Sequence, residues 1–432
     1  MDVVRCSLNR KRDLWWPCSR SLLQRPSIDN LPDCLLSEIL MLLPQKSIIQ
    51  CKCVSQRWCS LISSPSFAYF VNSRFHASTI LERPSTLLFS YNNIHGNKNK
   101  MVLVTSEEPK FKSLASLIHQ YYNTNSFVSD DIAQASCHDL LLCYKNVFVA
   151  DDDVGSRSMT VYYVLNPITR QSMALPPLRR SKSARIGFIF RCKKEQQSSY
   201  RVMRIPKFEG ESTEFKVDIF SSDTGKWSES VVSCPRGFRL ANYAYAGVPC
   251  HGLLLWWSSN GHLVGFDPYT SKCCRVIDKP VELALKHGIQ RLGVCNGALR
   301  ICQIVEEDDS KLLVWELKDY DTEGKWSLEH KVNFNEIVSD YSRLNGILSV
   351  LAYHLYDRDI VYVMLPPRVS SLNMRRKTVE IVCDFPRNCT FYSGFNVFNF
   401  VFLVGQPTFL LSRIPYRKRR LPNYSAACYL GF

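Results

Sequence analysis

Two histidines follow cysteines in matching surroundings, Cys137-His138-Asp139 and Cys250-His251-Gly252. A thiolate beside an imidazole is raw material for a metal site; no cysteine has a recognisable activating neighbourhood for nucleophilic catalysis. Both pairs, however, lead into a leucine run, Leu140-Leu141-Leu142 and Leu253-Leu254-Leu255, so a recurring turn accounts for them better than a metal does. Asp151-Asp152-Asp153 offers carboxylates to a hard cation, yet the Gly and Glu that a calcium loop needs at fixed offsets do not follow. Glu306-Glu307-Asp308-Asp309 reads as a charged hairpin tip. No phosphate-cradling glycine loop, zinc-protease helix or nucleophile elbow is present. The 18 cysteines contain no C-x-x-C pair. In a chain with 46% hydrophobic residues they read as reduced, buried, small apolar side chains, and Cys53 is expected on the inward side of a helix. No catalytic residue, metal or cofactor is expected.

The elements around these residues fall into two textures. From Ile28 to Phe75 the pattern is helical. Leu35, Leu36, Ile39, Leu40 and Leu43 recur at helix spacing and make one apolar face. Pro32 suits a first helical turn and Pro44 stops the helix. A second short helix is expected from Gln45 to about Ile49. A third carries Cys51, Val54, Trp58, Leu61 and Ile62, before Ser63-Ser64-Pro65 ends it. Three short helices hold more apolar groups than so small a bundle can hide, and a surplus apolar face is a docking signal.

These residues carry a resemblance. Leu31-Pro32-Asp33-Cys34-Leu35-Leu36-Ser37-Glu38-Ile39-Leu40, then Pro44-Gln45-Lys46-Ser47 and Cys53-Val54-Ser55-Gln56-Arg57-Trp58, resemble an F-box. Cys34, often acidic in that module, and Gln56, often Lys, depart from the common form. The resemblance implies docking on a Skp-type linker protein, which binds a cullin with its RING subunit. It places Leu31, Pro32, Leu35, Ile39, Leu43 and Pro44 at or near that contact. Val54 and Trp58 either touch the linker or hold the helices together.

After Phe75 short aromatic and β-branched runs alternate with turn residues, as in Val161–Leu165, Phe215–Phe220 and Ile360–Val363. Turn motifs repeat: Asn166-Pro167-Ile168-Thr169, Ser221-Ser222-Asp223-Thr224-Gly225-Lys226-Trp227, Asp267-Pro268-Tyr269-Thr270 and Asp321-Thr322-Glu323-Gly324-Lys325-Trp326. Their threonines recur about every 46 to 55 residues, close to a propeller blade of about 50. A second motif joins Cys137-His138-Asp139, Cys250-His251-Gly252 and Cys295-Asn296-Gly297, read as a polar tight turn feeding an inner apolar strand. Repeats are weak before residue 130 and after 330. These stretches resemble the F-box-associated, kelch-like domain of plant F-box proteins. The fold class expected is therefore α+β multidomain: a small three-helix F-box followed by a mainly-β, propeller-like domain of kelch type. Residues 1–27 read as a basic N-terminal segment and 28–75 as the F-box. Residues 76–130 read as a linker and the first part of the β domain, 131–415 as the propeller, and 416–432 as a basic tail.

With 54 Lys and Arg against 39 Asp and Glu, the net charge is +15. The excess is scattered, so an anionic partner is allowed, but no nucleic-acid-binding module is recognisable. Phe395 to Leu411 is too short and interrupted to span a bilayer, and no signal peptide is visible at the N-terminus. Arg417-Lys418-Arg419-Arg420 resembles a nuclear-import signal. The expected role is a cytoplasmic or nuclear substrate receptor of a Skp–cullin–F-box ubiquitin ligase, without catalysis of its own and with a target the sequence does not name. The alternative is an F-box scaffold or transcriptional co-regulator outside ubiquitination. Trp256, Trp257 and Tyr243–Tyr245 are the aromatic candidates for target contact, with core packing the plainer role for at least half of them.

Overall fold

A computed structural model of the chain describes residues 28–43, 45–64, 66–67, 85–92, 99–105, 132–137, 140–151, 155–166, 171–179, 184–191, 199–239, 246–284, 289–305, 311–320, 324–337, 349–365, 368–384 and 396–401. The basic segment 1–27, Pro44, His138, Asp152, Asp153, Tyr243, Tyr245, the acidic run 306–309 and the basic run 417–420 lie outside the described residues.

The N-terminal module is three helices: α1 (Asp33–Met41), α2 (Gln45–Cys51) and α3 (Gln56–Ile62). Pro32 occupies the N-cap of α1 rather than its first turn, and α1 ends at Met41, before Pro44 is reached. Cys51 closes α2 instead of opening α3, and Val54 lies in the turn between them. Ser55 caps α3: its side chain accepts the Trp58 N–H at 3.1 Å. Leu36, Leu40, Ile48, Trp58, Ile62 and Phe67 form a closed core.

Among the described residues the strands build six sheets. One joins β1 (Ser85–Asn92) and β2 (Asn99–Thr105) to the last strand, β24 (Asn396–Val401). The others use strands consecutive in sequence. The second holds β3 to β7 (Ile132–Cys137, Leu140–Asp151, Gly155–Asn166, Gln171–Ala174 and Leu178–Arg179). The third holds β8 to β11 (Ala184–Arg191, Ser199–Pro206, Ser212–Ser221 and Lys226–Phe238). The fourth holds β12 to β15 (Val248–Cys250, Leu253–Trp257, His262–Asp267 and Lys272–Asp278). The fifth holds β16 to β19 (Ile289–Cys295, Ala298–Val305, Lys311–Lys318 and Lys325–Asn333). The sixth holds β20 to β23 (Ser349–Tyr353, Ile360–Leu365, Arg368–Asn373 and Thr378–Asp384). Paired strands within each sheet run antiparallel.

The first strand of each consecutive sheet touches the first strand of the next, from β3 through β8, β12, β16 and β20; β24 then touches both β20 and β3. That closes a ring, the arrangement of a β-propeller, with β24 supplying the inner strand of the sheet that β1 and β2 complete. The apolar cores lie between neighbouring blades. Leu142, Val164, Phe188 and Phe220 pack between the second and third sheets, and Phe215, Val232, Trp256 and Phe266 between the third and fourth. Trp315 and Leu255 lie between the fourth and fifth, and Val314 and Val363 between the fifth and sixth. Among the described residues the cores of the second to sixth sheets are shared between neighbours, so each of these blades depends on an adjacent one for burial.

The repeated motifs turn out to be blade hardware. His251-Gly252 and Asn296-Gly297 each carry two successive positive φ angles (47° and 78°; 48° and 77°), the backbone of a two-residue type I′ hairpin. These turns leave the inner strand and feed the second one, which corrects the expected order. The His251 ring stacks on Tyr320 of the next blade at 4.2 Å, and its Nε2 lies 3.2 Å from the Gly297 carbonyl. The Gly-Lys-Trp motif opens the outer strand. Trp227 Nε1 donates to the Pro176 carbonyl at 2.8 Å, and Trp326 Nε1 to the Asp278 carbonyl at 2.7 Å. Each indole thus latches its blade to the preceding one.

Between the third and fourth blades the backbones nearly touch. Gly247 N donates to the Ile186 carbonyl at 2.7 Å, and Gly187 forms a parallel bridge with Gly247. The Trp256 ring fills the space beside both glycines. A Cβ on Gly187 would stand 2.7 Å from Leu254 Cδ1 and from Trp256 Cζ2. Gly187→Ala is therefore expected to cost about 1–3 kcal/mol through overpacking. Chemical denaturation of the purified protein checks this; an unchanged midpoint would show that the junction gives way freely.

The loop 354–359 is fastened to the fifth blade: Asn296 N donates to the Leu355 carbonyl at 2.6 Å and Arg300 Nη1 to the Arg358 carbonyl at 2.6 Å. Its own turn hangs on His354 Nδ1, which accepts the Tyr356 and Asp357 N–H groups at 3.2 and 2.8 Å. Burial lowers the His354 pKa, with a smaller opposing pull from Asp357. His330, across the blade junction, is lowered by burial and by Arg300. A folded-state pKa below the unfolded value gives stability that is complete above about pH 6.5 and lost as pH falls through that value towards the folded pKa. Thermal stability is expected to drop between pH 7.5 and 5, and His354→Asn, which keeps an acceptor in the turn, to flatten part of that slope. Parallel melts of both proteins across this range measure it; superimposable slopes would clear His354 of the effect.

Candidate partner-binding face of the helical module

The α1 sequence builds two faces from one run of leucines. Leu36 and Leu40 point into the core and are fully buried. Leu35 and Ile39, four residues apart, stand 46% and 41% exposed, and Leu42, one turn beyond, 69%. Val54, in the α2–α3 turn, is 61% exposed and Pro32 is also exposed. The face expected as one stripe is thus split between an inward pair and an outward row.

The expected contact residues separate accordingly. Pro32, Leu35, Ile39 and Val54 are on the surface. Leu31 and Leu43 are half-buried, with Leu43 packed against the core. Trp58 is buried at 7% exposure and holds the helices together. Leu42, absent from the expected set, continues the spacing of Leu35 and Ile39 at i+7 and i+3. Arg57 is absent from that set as well. Its Nε donates to Asp33 Oδ1 at 2.9 Å and its Nη2 to the Leu31 carbonyl, so it braces the start of α1 against α3. Cys53 is exposed in the turn, not inward on a helix, and Cys34 and Cys59 are exposed too. In the propeller Cys137, Cys143, Cys234, Cys250, Cys295 and Cys302 are buried. Burial pushes the Cys250 thiol up to about 12 and the Cys302 thiol up to about 11, far from a reactive thiolate.

Among the described residues no three His, Cys, Asp or Glu side chains gather as a metal site, and no helix is long and apolar enough to cross a membrane. Of the aromatic candidates, Trp256 is core and Trp257 is half-buried with Lys279 Nζ 4.5 Å from its ring.

What decides the family is the match of two family models to these two units. The F-box domain model matches residues 28–69, and the model described as "F-box protein At3g26010-like, beta-propeller" matches residues 105–396. The chain belongs to this F-box β-propeller family. It is similar to the F-box protein At5g03970 of Arabidopsis thaliana, 25% identical over 386 residues, covering 84% of this chain and 85% of that protein. It is also similar to the putative F-box protein At3g28280 of the same plant, 26% identical over 319 residues, covering 68% and 95%. The putative F-box/kelch-repeat protein At1g15680, 24% identical over 72% of this chain and 74% of its own length, carries the kelch label in its name. Among solved structures, apo AztD from Citrobacter koseri is similar over 71% of this F-box protein and 84% of its own chain, at 7% identity and a TM-score of 0.35.

Proposed function

We propose that this F-box protein is a substrate-recognition subunit of a Skp–cullin–F-box ubiquitin ligase. The F-box binds a Skp-type linker, the linker brings the cullin and RING subunits, and the propeller holds a target protein. The observation that carries the reading is the outward row Leu35, Ile39 and Leu42, exposed on a module whose described core is formed by Leu36, Leu40, Ile48, Trp58, Ile62 and Phe67. A small bundle gains nothing from exposed leucines on its own, whereas a partner groove desolvates them.

The protein's contribution is proximity. Holding a target beside a charged conjugating enzyme raises the effective concentration of the target's lysines, and the chemistry stays with the partner enzyme. The kelch type of the blades and a cytoplasmic or nuclear location belong to the same reading. The test is co-purification of the tagged full-length protein with candidate Skp-type linkers and a cullin. Capture of both supports the reading; a folded protein that captures neither overturns it. A captured cullin complex that ubiquitinates no bound partner points instead to a scaffold.

A further inference from the structure

Between the fifth and sixth blades lies a cavity of about 430 Å³ lined almost wholly by charged side chains. It opens on the face that carries the inner hairpin turns, under the loop 354–359 and beside the hairpin tip that holds Arg375. Its charges are graded by depth. Glu316, just beneath, is 2% exposed and takes Arg300 at 2.6 Å and Lys318 at 2.7 Å. Glu329 is 28% exposed and takes Lys318 at 3.0 Å. Asp359 is 27% exposed, with His330 at 3.5 Å. Asp357, also on the lining, accepts the Asp359 N–H on its Oδ1 at 2.8 Å. The acids are therefore less exposed than the rim: Glu316 and Glu329 face cations of the protein itself, whereas His330 is lowered by burial and by Arg300, so Arg375 is the charged partner of Asp359.

The rim is different. Arg358 is 48% exposed, and its nearest carboxylate, Glu316, is 3.5 Å away. Arg375 is 81% exposed, 3.7 Å from Asp359. Both separations exceed a charge-assisted hydrogen bond of about 2.7–2.9 Å. Both guanidinium groups thus keep donors in reserve, and Arg376 is exposed beside them. An approaching chain meets fixed positive charge first and a polar pocket behind it. Lys318 and Arg300 satisfy Glu316 from below, so Arg358 can turn outward without stranding that buried acid.

We propose that this cavity receives an acidic side chain of the captured protein, so that targets present a segment rich in Asp and Glu. The inference rests on the receptor reading above and names the chemistry of its target.

The test uses the full-length protein in complex with its Skp-type linker. A fluorescent twelve-residue peptide alternating Asp and Glu with Gly and Ser is titrated by anisotropy, beside the same peptide with Lys at the acidic positions. The expected result is binding of the acidic peptide alone, weakened at least tenfold by Arg358→Gln with Arg375→Gln and unchanged by Lys226→Gln on the third blade. Equal binding of both peptides, or an arginine variant that binds like wild type, overturns the proposal. So does a phosphoserine peptide that binds where the carboxylate peptide does not. Retention of the linker by the arginine variant is scored in the same samples. A chain that captures no linker but binds the acidic peptide would sink the ligase reading and keep the cavity assignment.

Discussion

Leu35→Asp combined with Ile39→Asp is expected to abolish capture of the Skp-type linker while leaving the module folded. Both side chains are about half exposed, so neither change opens the core formed by Leu36, Leu40, Ile48, Trp58, Ile62 and Phe67. In a docked state the same side chains would be central apolar anchors. Removing such an anchor costs about 2 kcal/mol or more, and each new carboxylate adds the penalty of burying a charge. Together the two changes lower affinity by roughly a thousandfold or more. The comparison variant is Leu36→Asp, one position away, which places a carboxylate in a fully buried site and unfolds the helices instead. Co-purification with the linker, paired with hydrogen exchange over residues 28–67, separates the two outcomes. Full capture by the double variant would remove the outward row from the interface.

Arg300→Met is expected to destabilise the propeller by about 3–5 kcal/mol, the cost of stranding one member of a buried ion pair. Arg300 and Glu316 are 1% and 2% exposed; Arg300 Nε donates to Glu316 Oε2 at 2.8 Å and Nη2 lies 2.6 Å from the same oxygen. Burial drives the Glu316 pKa up, but the bonds from Lys318 and Arg300 outweigh it, and the net position is below the ordinary carboxylate value. The change also removes the bond from the guanidinium to the Arg358 carbonyl, one of the polar ties between the fifth and sixth blades. Adding Glu316→Met should recover part of the loss, because an apolar pair of similar size avoids the unpaired charge. Denaturant titrations of the two single variants and the double close the cycle. A single variant as stable as wild type would mean that Lys318 and Arg358 suffice for Glu316.

Both units and the order of their elements were legible in the sequence, for physical reasons that differ. The F-box motif is dense because each position does local work: Ser55 caps α3 for Trp58, and Leu36 and Leu40 close the core. The turns repeat because every blade needs the same positive-φ corner, as His251-Gly252 and Asn296-Gly297 show. The hairpin of the last consecutive blade stayed hidden. Its left-handed corner is Lys377, with φ 55°, in place of the Gly225 and Gly324 of its counterparts, and its cap is Asn373. The sheet of β1, β2 and β24 falls where the repeats are weak, and its strands come from opposite ends of the domain. Which leucine of a helix faces outward was half readable: the period places Leu35 with Ile39, but only the packing of α3 shows that Leu36 and Leu40 are the inward pair. The charged cavity had no linear signature, because Arg300, Arg358 and Arg375 meet only through the register of two blades.

The strand β24 that closes the ring also sets a clock on biosynthesis. Its partner β1 leaves the ribosome about 300 residues earlier, and at about 5–20 residues per second that is a wait of roughly 15–60 seconds. Through that interval the edge of Ser85–Asn92 has no inner partner, and an open strand edge invites pairing with other chains. The most non-local contact of the propeller is therefore also its last, so closure is slow by nature and favours an escort during translation. A chain ending before residue 396 would lack the strand that seals the ring and would leave the inner edge of Ser85–Asn92 open.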